Sequence, residues 1–427
     1  MPARVNGAAY PRYTLITHVR LIDPVARRSE DCDLLLVRDS AGAPPTVAAI
    51  GIGLKPPADA PITRVRGTGL YACRSFVDLH LQVCEPGAMY KEDLRTATAA
   101  AASGGYGDAL AIPSPAVIWH EEETLDYIRS NADAVGRIPL QVAAHLTESG
   151  KGQRLSDLAL LLSHHAAAFY DSGVASPALL YSAMEQLART DTLLILRASI
   201  PALCSRTAPH KASATSEAAA VASALTMAEA TGCRLHLTLI STALSVELIR
   251  TAKARGVKVT ADTAPQYFTL TRADLLYYGN LAKVEPPLRS PSDRTAIIEA
   301  LADGTIDCIV SDHTPETATD KRKSAADAPA GMIGLQTAFA LGMRELVLTG
   351  KLDLYRLIEL LSQNPARILG LPDTIAVGGP AKVTLIDLEH EYVLTEGMLD
   401  SKSKNCPWVG QSFQGIVKRN FSKLNEK

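Results

Sequence analysis

The feature that most constrains the fold is an alternation of short apolar runs with longer helix-forming segments through the middle of the chain. Short apolar runs bounded by turn residues are typical of buried parallel strands. The runs interpreted as strands are 76–82, 109–112, 139–144, 166–169, 193–196, 234–240, 257–260 and 306–310. The segments interpreted as helices are 92–103, 154–165, 176–190, 216–231, 245–254 and 293–301. Roughly eight βα units predict an α/β fold, a closed (β/α)8 TIM barrel.

Both ends of the chain differ from this middle. Leu34–Val37 and Thr46–Ile50 are apolar runs separated by Gly, Pro and Asp, and 382–387 has the same character. Such runs are typical of short strands joined by turns. We therefore predict a small composite β domain made by residues 1–69 and 373–427, with the barrel over 70–372.

Composition narrows the classes of partner and compartment. The 427 residues carry a formal net charge of −2, which does not favour a nucleic-acid or membrane partner. No apolar run is long enough to span a bilayer, and the N-terminus lacks the apolar core of a secretory signal. The seven cysteines are scattered without a CxxC pair, so we expect a protein of the reduced cytoplasm.

In TIM barrels the chemistry lies where strands end and loops begin, so motifs at those positions carry the functional prediction. The motifs found there are Phe76-Val77-Asp78-Leu79-His80, Glu85-Pro86-Gly87, Lys283-Val284-Glu285-Pro286-Pro287-Leu288-Arg289, Ser311-Asp312-His313-Thr314-Pro315-Glu316 and Asn364-Pro365-Ala366-Arg367. In this order they resemble motifs of the dihydroorotases of the cyclic amidohydrolase superfamily. The resemblance runs from about Val19 to Val417.

The resemblance implies a metal site that has lost most of its ligands. Dihydroorotases use zinc held by a His-x-His pair, a bridging Lys or Asp, two later histidines and an aspartate that also serves as acid/base. The matching positions in this sequence are His80, Gln82, Asp171, Arg197, Leu239 and Asp312. An amide is a poor zinc ligand, a guanidinium repels the ion and an alkyl group cannot bind it. We therefore expect no zinc and no other cofactor.

The positions that contact substrate in the family also differ. By resemblance the family has Arg where this chain has Cys84, and Asn at the positions of Ser114 and Glu285. A carboxylate at Glu285 would repel an anionic substrate. The second histidine of the family's D-H-A-P-H motif is replaced by Glu316.

Arg197 suggests a compensation for the missing metal. It brings a fixed positive charge to a position that would otherwise face cationic zinc. Asp171 and Asp312 would be costly to bury without a partner. We predict that the Arg197 guanidinium bridges one or both carboxylates.

The resemblance implies a non-catalytic dihydroorotase homologue, in which Asp312 is vestigial. Inactive dihydroorotase-like chains of this kind are structural subunits that assemble with the catalytic chain of aspartate transcarbamoylase, as a dodecamer, in pyrimidine biosynthesis. The N-terminal arm 1–13 and the polar tail 422–427 are candidate contact segments.

Two alternatives remain open. One is a cyclic amidohydrolase with a rebuilt site that uses His80, Asp171 and Asp312, where Asp312 acts as general acid/base. The other is a protein that binds a small ligand in the vacated barrel cavity. For His80 and His236 the simpler reading is a packed or hydrogen-bonded structural role, and no base supports Cys84 as a nucleophile.

Overall fold

The computed structural model describes residues 4–5, 8–40, 43–114, 122–173, 176–200, 203 and 209–422, with the backbone alone at 4–5, 8–9 and 209–212. The predicted contact segments 1–13 and 422–427 therefore lie partly outside the described residues. Among the described helices, none has the length and apolar character that crossing a bilayer requires.

Strands and helices are numbered in chain order through the described residues. The strands are β1 Arg4–Val5, β2 Ala8–Ala9, β3 Arg12–Asp23, β4 Arg28–Arg38, β5 Thr46–Gly51, β6 Ile62–Arg66, β7 Tyr71–Arg74, β8 Phe76–Gln82, β9 Tyr106–Ile112, β10 Leu140–His145, β11 Ala168–Asp171, β12 Leu194–Leu196, β13 Leu235–Leu237, β14 Val259–Thr263, β15 Cys308–Ile309, β16 Val383–Val393 and β17 Ser412–Asn420. The α-helices are α1 Leu94–Ser103, α2 Glu122–Val135, α3 Leu158–Ser163, α4 Pro177–Thr190, α5 Pro209–Thr231, α6 Ala243–Ala254, α7 Pro265–Thr269, α8 Leu275–Tyr278, α9 Pro291–Asp303, α10 Ala318–Lys321, α11 Ala338–Gly342, α12 Leu354–Ile358 and α13 Asn364–Ile368.

Strands β8 to β15 form the barrel. They make one eight-stranded sheet in which each strand lies beside its neighbours in the chain, and the pairs are parallel. The strand interiors are mainly apolar because one face fills the barrel and the other packs on helices, and the buried polar residues among them include Asp78, His80 and His236. The predicted TIM barrel is confirmed.

The barrel is nearly closed by contacts between its first and last strands. The backbone N–H of Gln82 donates to the carbonyl of His313 at 3.1 Å, and Leu81 forms a parallel bridge with His313. Asp78 is fully buried and accepts hydrogen bonds from the backbone N–H and the hydroxyl of Ser311, at 2.8 and 2.6 Å. A buried carboxylate needs such donors, so Asp78 ties strand β8 to the segment after β15.

Side-chain caps start two of the barrel helices that were predicted from the sequence. Asp93 and Thr96 form a capping box at α1, and Ser290 and Asp293 form another at α9. Helix α2 was not predicted. Its buried residues Leu125, Ile128 and Ala132 recur at helical spacing, but acidic and polar residues dilute this apolar stripe.

The second sheet joins the two ends of the chain. Its strand order is β17-β16-β7-β3-β4-β5, and β6 pairs with β3 on the side. Strand β16 lies antiparallel to β7, which brings a segment after the barrel against a segment before it. The predicted composite β domain is confirmed.

A buried charged network connects this β domain to the barrel. Asp108 on β9 contacts Arg74 Nη2 at 3.3 Å and Lys382 Nζ at 2.7 Å. Arg74 is 1% exposed, and its Nε donates to the carbonyl of Pro372 at 2.8 Å. Because burial leaves these charges without water, each depends on the others for its polar contacts.

Candidate functional site

A cavity of about 660 Å³ opens at the carboxyl ends of the barrel strands. This is the end where TIM barrels carry their chemistry. The predicted site residues on its wall are His80, Gln82, Ser114, Arg197, Glu285 and Asp312. The fold therefore brings together most of the positions singled out from the sequence.

His80 is held by a hydrogen-bond chain that defines its tautomer. Its Nδ1 lies 3.0 Å from Thr238 Oγ1, and that hydroxyl donates to Asp262 Oδ1 at 3.1 Å. Since the hydroxyl proton is engaged, Nδ1 must carry the imidazole proton. The lone pair of Nε2 then faces Asp312 Oδ1 at 3.6 Å. Burial, with help from the charge of Arg197, lowers the pKa of His80 to about 3.

Asp312 is the acidic partner of His80 on the cavity wall. It is 3% exposed, and its Oδ2 accepts a hydrogen bond from Gln266 Nε2 at 2.6 Å. Burial raises the pKa of Asp312 to about 8, although Arg197 opposes the change. At neutral pH the carboxyl group of Asp312 is therefore protonated while His80 is neutral, so the pair carries one titratable proton, on Asp312.

Arg197 lines the same cavity but does not form the predicted bridge. Its Nη1 donates to the backbone carbonyl of Glu285 at 3.2 Å. Among the described carboxylates, none lies within the 4.0 Å of an ion pair with Arg197. The prediction that its guanidinium directly bridges Asp171 or Asp312 is therefore wrong. Arg197 acts on both through space, since its charge opposes the rise that burial causes in each pKa.

Asp171 and Leu239 are buried away from the cavity wall. Asp171 accepts hydrogen bonds from Thr147 Oγ1 at 2.5 Å and from the backbone N–H of Ser172 at 2.7 Å, so these donors replace the expected guanidinium. Leu239 has φ of 59°, an unusual left-handed conformation for leucine, and its N–H donates to Asp262 Oδ1 at 2.7 Å. Neither side chain joins His80 at the cavity in the described structure.

The positions that the family resemblance assigns to substrate contacts differ from one another in burial and location. Ser114 is buried on the cavity wall, and the Glu285 side chain is exposed at it. Cys84 does not belong to the described cavity wall, and burial raises the pKa of its thiol to about 12, which leaves it a poor nucleophile. Glu316 also lines the cavity, where its carboxylate pairs with Lys91 Nζ at 2.7 Å.

The described side chains at the cavity do not supply a zinc ligand set. Among the described residues, the only three potential ligands with all ligand atoms within 4.8 Å of one another are His236, Asp262 and Cys308, inside the barrel. His236 Nε2 lies 2.8 Å from Asp262 Oδ2, and its Nδ1 lies 2.8 Å from Thr260 Oγ1. Burial raises the pKa of Cys308 well above its usual range, so its thiol is protonated. His236 and Asp262 are thus hydrogen-bonded to each other inside the barrel, and none of the three residues of this group lies on the cavity wall, so the group adds no zinc ligand to the cavity.

Several groups that line the cavity were not predicted as site residues from the sequence. His145 is the last residue of β10, and applying the strand-end rule to that strand would have identified it. Lys151 also lines the cavity, and it lies in a loop whose sequence contains no recognisable motif. Tyr170 precedes Asp171, and its ring packs edge-on against His80 with centroids 5.9 Å apart.

Comparison with known proteins places this geometry in a family. The sequence pattern described as "Amidohydrolase family" matches residues 72–423. The chain belongs to the amidohydrolase family. A dihydroorotase from Geotalea daltonii is 36% identical over 412 residues, which cover 93% of this chain and 95% of that protein. A dihydroorotase from Bacillus caldolyticus is 36% identical over 354 residues, which cover 80% of this chain and 83% of that protein. The chain is therefore dihydroorotase-like in sequence, as the motifs predicted.

Solved structures agree on the fold of this amidohydrolase-family chain. The L-hydantoinase of Arthrobacter aurescens superposes with a TM-score of 0.81 at 22% identity, over 95% of this chain and 93% of that one. A D-hydantoinase from Thermus sp. gives a TM-score of 0.83 at 20% identity, over 97% of each chain. At these identities the likeness concerns the fold alone.

Proposed function

We propose that this chain is a non-catalytic dihydroorotase homologue, a cytoplasmic structural subunit that binds the catalytic chain of aspartate transcarbamoylase in pyrimidine biosynthesis. In this proposal it holds no zinc and has no amidohydrolase activity of its own. The supporting observation is the side-chain chemistry at the positions that the family resemblance assigns to zinc binding. At three positions where zinc-binding relatives are expected to have imidazoles, this chain has Gln82, Arg197 and Leu239.

The chemistry of these groups supports the loss of activity. Zinc activates water only when several anionic or imidazole ligands hold it with an open coordination position. Here His80 faces Asp312 across 3.6 Å, and the cationic Arg197 shares their cavity. Positive charge that is fixed at such a site opposes the entry of a divalent cation.

Two acidic groups of the rim have donors of their own, which supports a stable rim without a metal. Asp312 accepts from Gln266 at 2.6 Å, and Glu316 pairs with Lys91 at 2.7 Å. A barrel can keep its stability while its rim changes because the two depend on different residues. The partner is inferred from the resemblance of the whole chain to inactive dihydroorotase-like subunits.

Metal content and turnover test the loss of activity. The purified chain, grown and dialysed with added zinc, should retain well under one equivalent and should neither open dihydroorotate nor close carbamoyl aspartate. The Bacillus caldolyticus dihydroorotase, prepared in parallel, provides the matched control. Near-stoichiometric zinc together with turnover close to that control would overturn the non-catalytic assignment.

Co-assembly tests the structural role. The chain and the transcarbamoylase catalytic chain of the same organism should elute together from a sizing column at micromolar concentration, with a mass above either alone. The Bacillus caldolyticus relative in place of this chain controls for non-specific association. Separate elution, with the transcarbamoylase fully active alone, would reject the partnership.

A further inference from the structure

The Arg197 guanidinium has more hydrogen-bonding capacity than its surroundings use. An arginine side chain has five N–H donors. Within the described structure, Arg197 donates one hydrogen bond, to the carbonyl of Glu285, and its buried Nε has no acceptor. The Nε–H of this half-buried side chain is therefore unsatisfied, because burial removes water from it without providing an acceptor.

The neighbouring carboxyl groups are engaged elsewhere. Asp171 bonds to Thr147 and to the backbone of Ser172. Glu316 pairs with Lys91 at 2.7 Å. Glu285 also lines the cavity and its charge acts on Arg197, but its side chain is exposed to water and makes no ion pair with Arg197 in the described structure. The counter-ion that Arg197 lacks is therefore not supplied by a described carboxylate within ion-pair distance.

The cavity has room and suitable donors for an external anion. Its volume of about 660 Å³ lies in the range of small-molecule sites. Lys151 on its wall adds a second, exposed cation. Burial raises the pKa of Tyr170 to about 12, so its hydroxyl keeps a proton to donate. A carboxylate matches the planar fork of a guanidinium and accepts two parallel hydrogen bonds from it.

We propose that this cavity binds a small organic carboxylate, with Arg197 as its principal contact. The site differs from the carboxylate contacts that the family resemblance implies, which correspond here to Cys84, Ser114 and Glu285. It uses a former metal position, where a cation now stands on the protein itself. The proposal goes beyond the proposed function and does not depend on the transcarbamoylase partner.

Titration calorimetry with succinate tests this site. The chain is first treated with uncharged 1,10-phenanthroline and dialysed into chloride buffer, so that binding to a metal cannot contribute. Succinate should bind saturably at one site per chain, and the uncharged isostere succinamide should not. Arg197→Gln should weaken succinate binding about tenfold or more, since it removes a charge-assisted contact. Circular dichroism verifies that the variant is folded.

Two further variants make the test specific. Glu285→Gln should strengthen succinate binding severalfold, because it removes a negative charge near Arg197. Arg255→Gln is the matched control: this arginine is 61% exposed on another surface, and its loss should leave binding unchanged. Equal binding by the Arg197→Gln chain, equal binding of succinamide, or no saturable binding up to millimolar succinate would overturn the proposal. Succinate binding is measured on the isolated chain, without the transcarbamoylase. A failure of this proposal can therefore be told apart from a failure of the proposed partnership.

Discussion

The opposite pKa shifts of His80 and Asp312 predict an unusual dependence of stability on pH. In the unfolded chain Asp312 ionises near 3.8 and His80 loses its proton near 6.5. In the folded chain His80 is neutral above about 3 and Asp312 stays protonated up to about 8. Between about pH 4 and pH 6.5 the folded and the unfolded chain each bind one proton at this pair. The pair therefore makes no contribution to the pH dependence of the unfolding free energy in this range.

Above pH 6.5 the pair begins to lower the unfolding free energy as the pH rises. The unfolded pair has lost its proton and the folded pair keeps one, so raising the pH favours the unfolded state. One pH unit is worth about 1.4 kcal/mol per proton. Between pH 6.5 and 8 the wild-type chain should lose about 2 kcal/mol of unfolding free energy through this pair. Asp312→Asn cannot ionise at this position, so its stability should lack this loss.

Urea unfolding at pH 5, 6.5, 7.2 and 8 measures this loss of unfolding free energy. Tryptophan fluorescence can monitor the unfolding, because Trp408 is only 1% exposed in the folded chain. The comparison of wild type with Asp312→Asn isolates this carboxyl group from the other titrating residues. Asp31→Asn is the control, since the Asp31 side chain is 78% exposed and its loss should leave the wild-type slope unchanged. Parallel declines for wild type and Asp312→Asn between pH 6.5 and 8 would refute the reasoning.

Two further predictions concern the former metal site and the link between domains. The double variant Gln82→His/Arg197→His should create a zinc site together with His80, so it should retain zinc through dialysis. The control Gln82→Asn/Arg197→Gln should retain none, and elemental analysis measures both. Equal zinc contents in the two variants would contradict this. Asp108→Ala should lower unfolding free energy by about 3–5 kcal/mol, because it leaves the buried Arg74 without its carboxylate; a loss below about 1 kcal/mol in urea unfolding would contradict this.

The architecture could be predicted because it depends on local patterns. Each barrel strand is a short apolar run, and such runs identify buried parallel strands without reference to distant residues. Helix α2, Glu122–Val135, was missed because only three of its residues are buried and polar residues separate them. The composite β domain was also foreseeable, since runs at both ends of the chain had strand character.

The contacts of Arg197 show why the pairing of side chains at the site could not be predicted from the sequence. Electrostatics alone favoured a bridge to Asp171 or Asp312, but the structure places Thr147 against Asp171 and Gln266 against Asp312. Thr147 precedes Asp171 by 24 residues and Gln266 precedes Asp312 by 46. Strand register and side-chain rotamers decide which of several nearby donors reaches a carboxylate, and a local sequence motif encodes neither of them.

The sequence by itself determined the fold class and the side-chain chemistry available at the rim, because Gln82 and Arg197 supply no imidazole in any conformation of the chain. Only the tertiary structure decided what became of the groups that remain. Burial sets the pKa values of His80 and Asp312, and packing sets the partners of Glu316 and Arg197. These properties depend on distances between side chains that lie far apart in the sequence, so they arise only when the barrel closes.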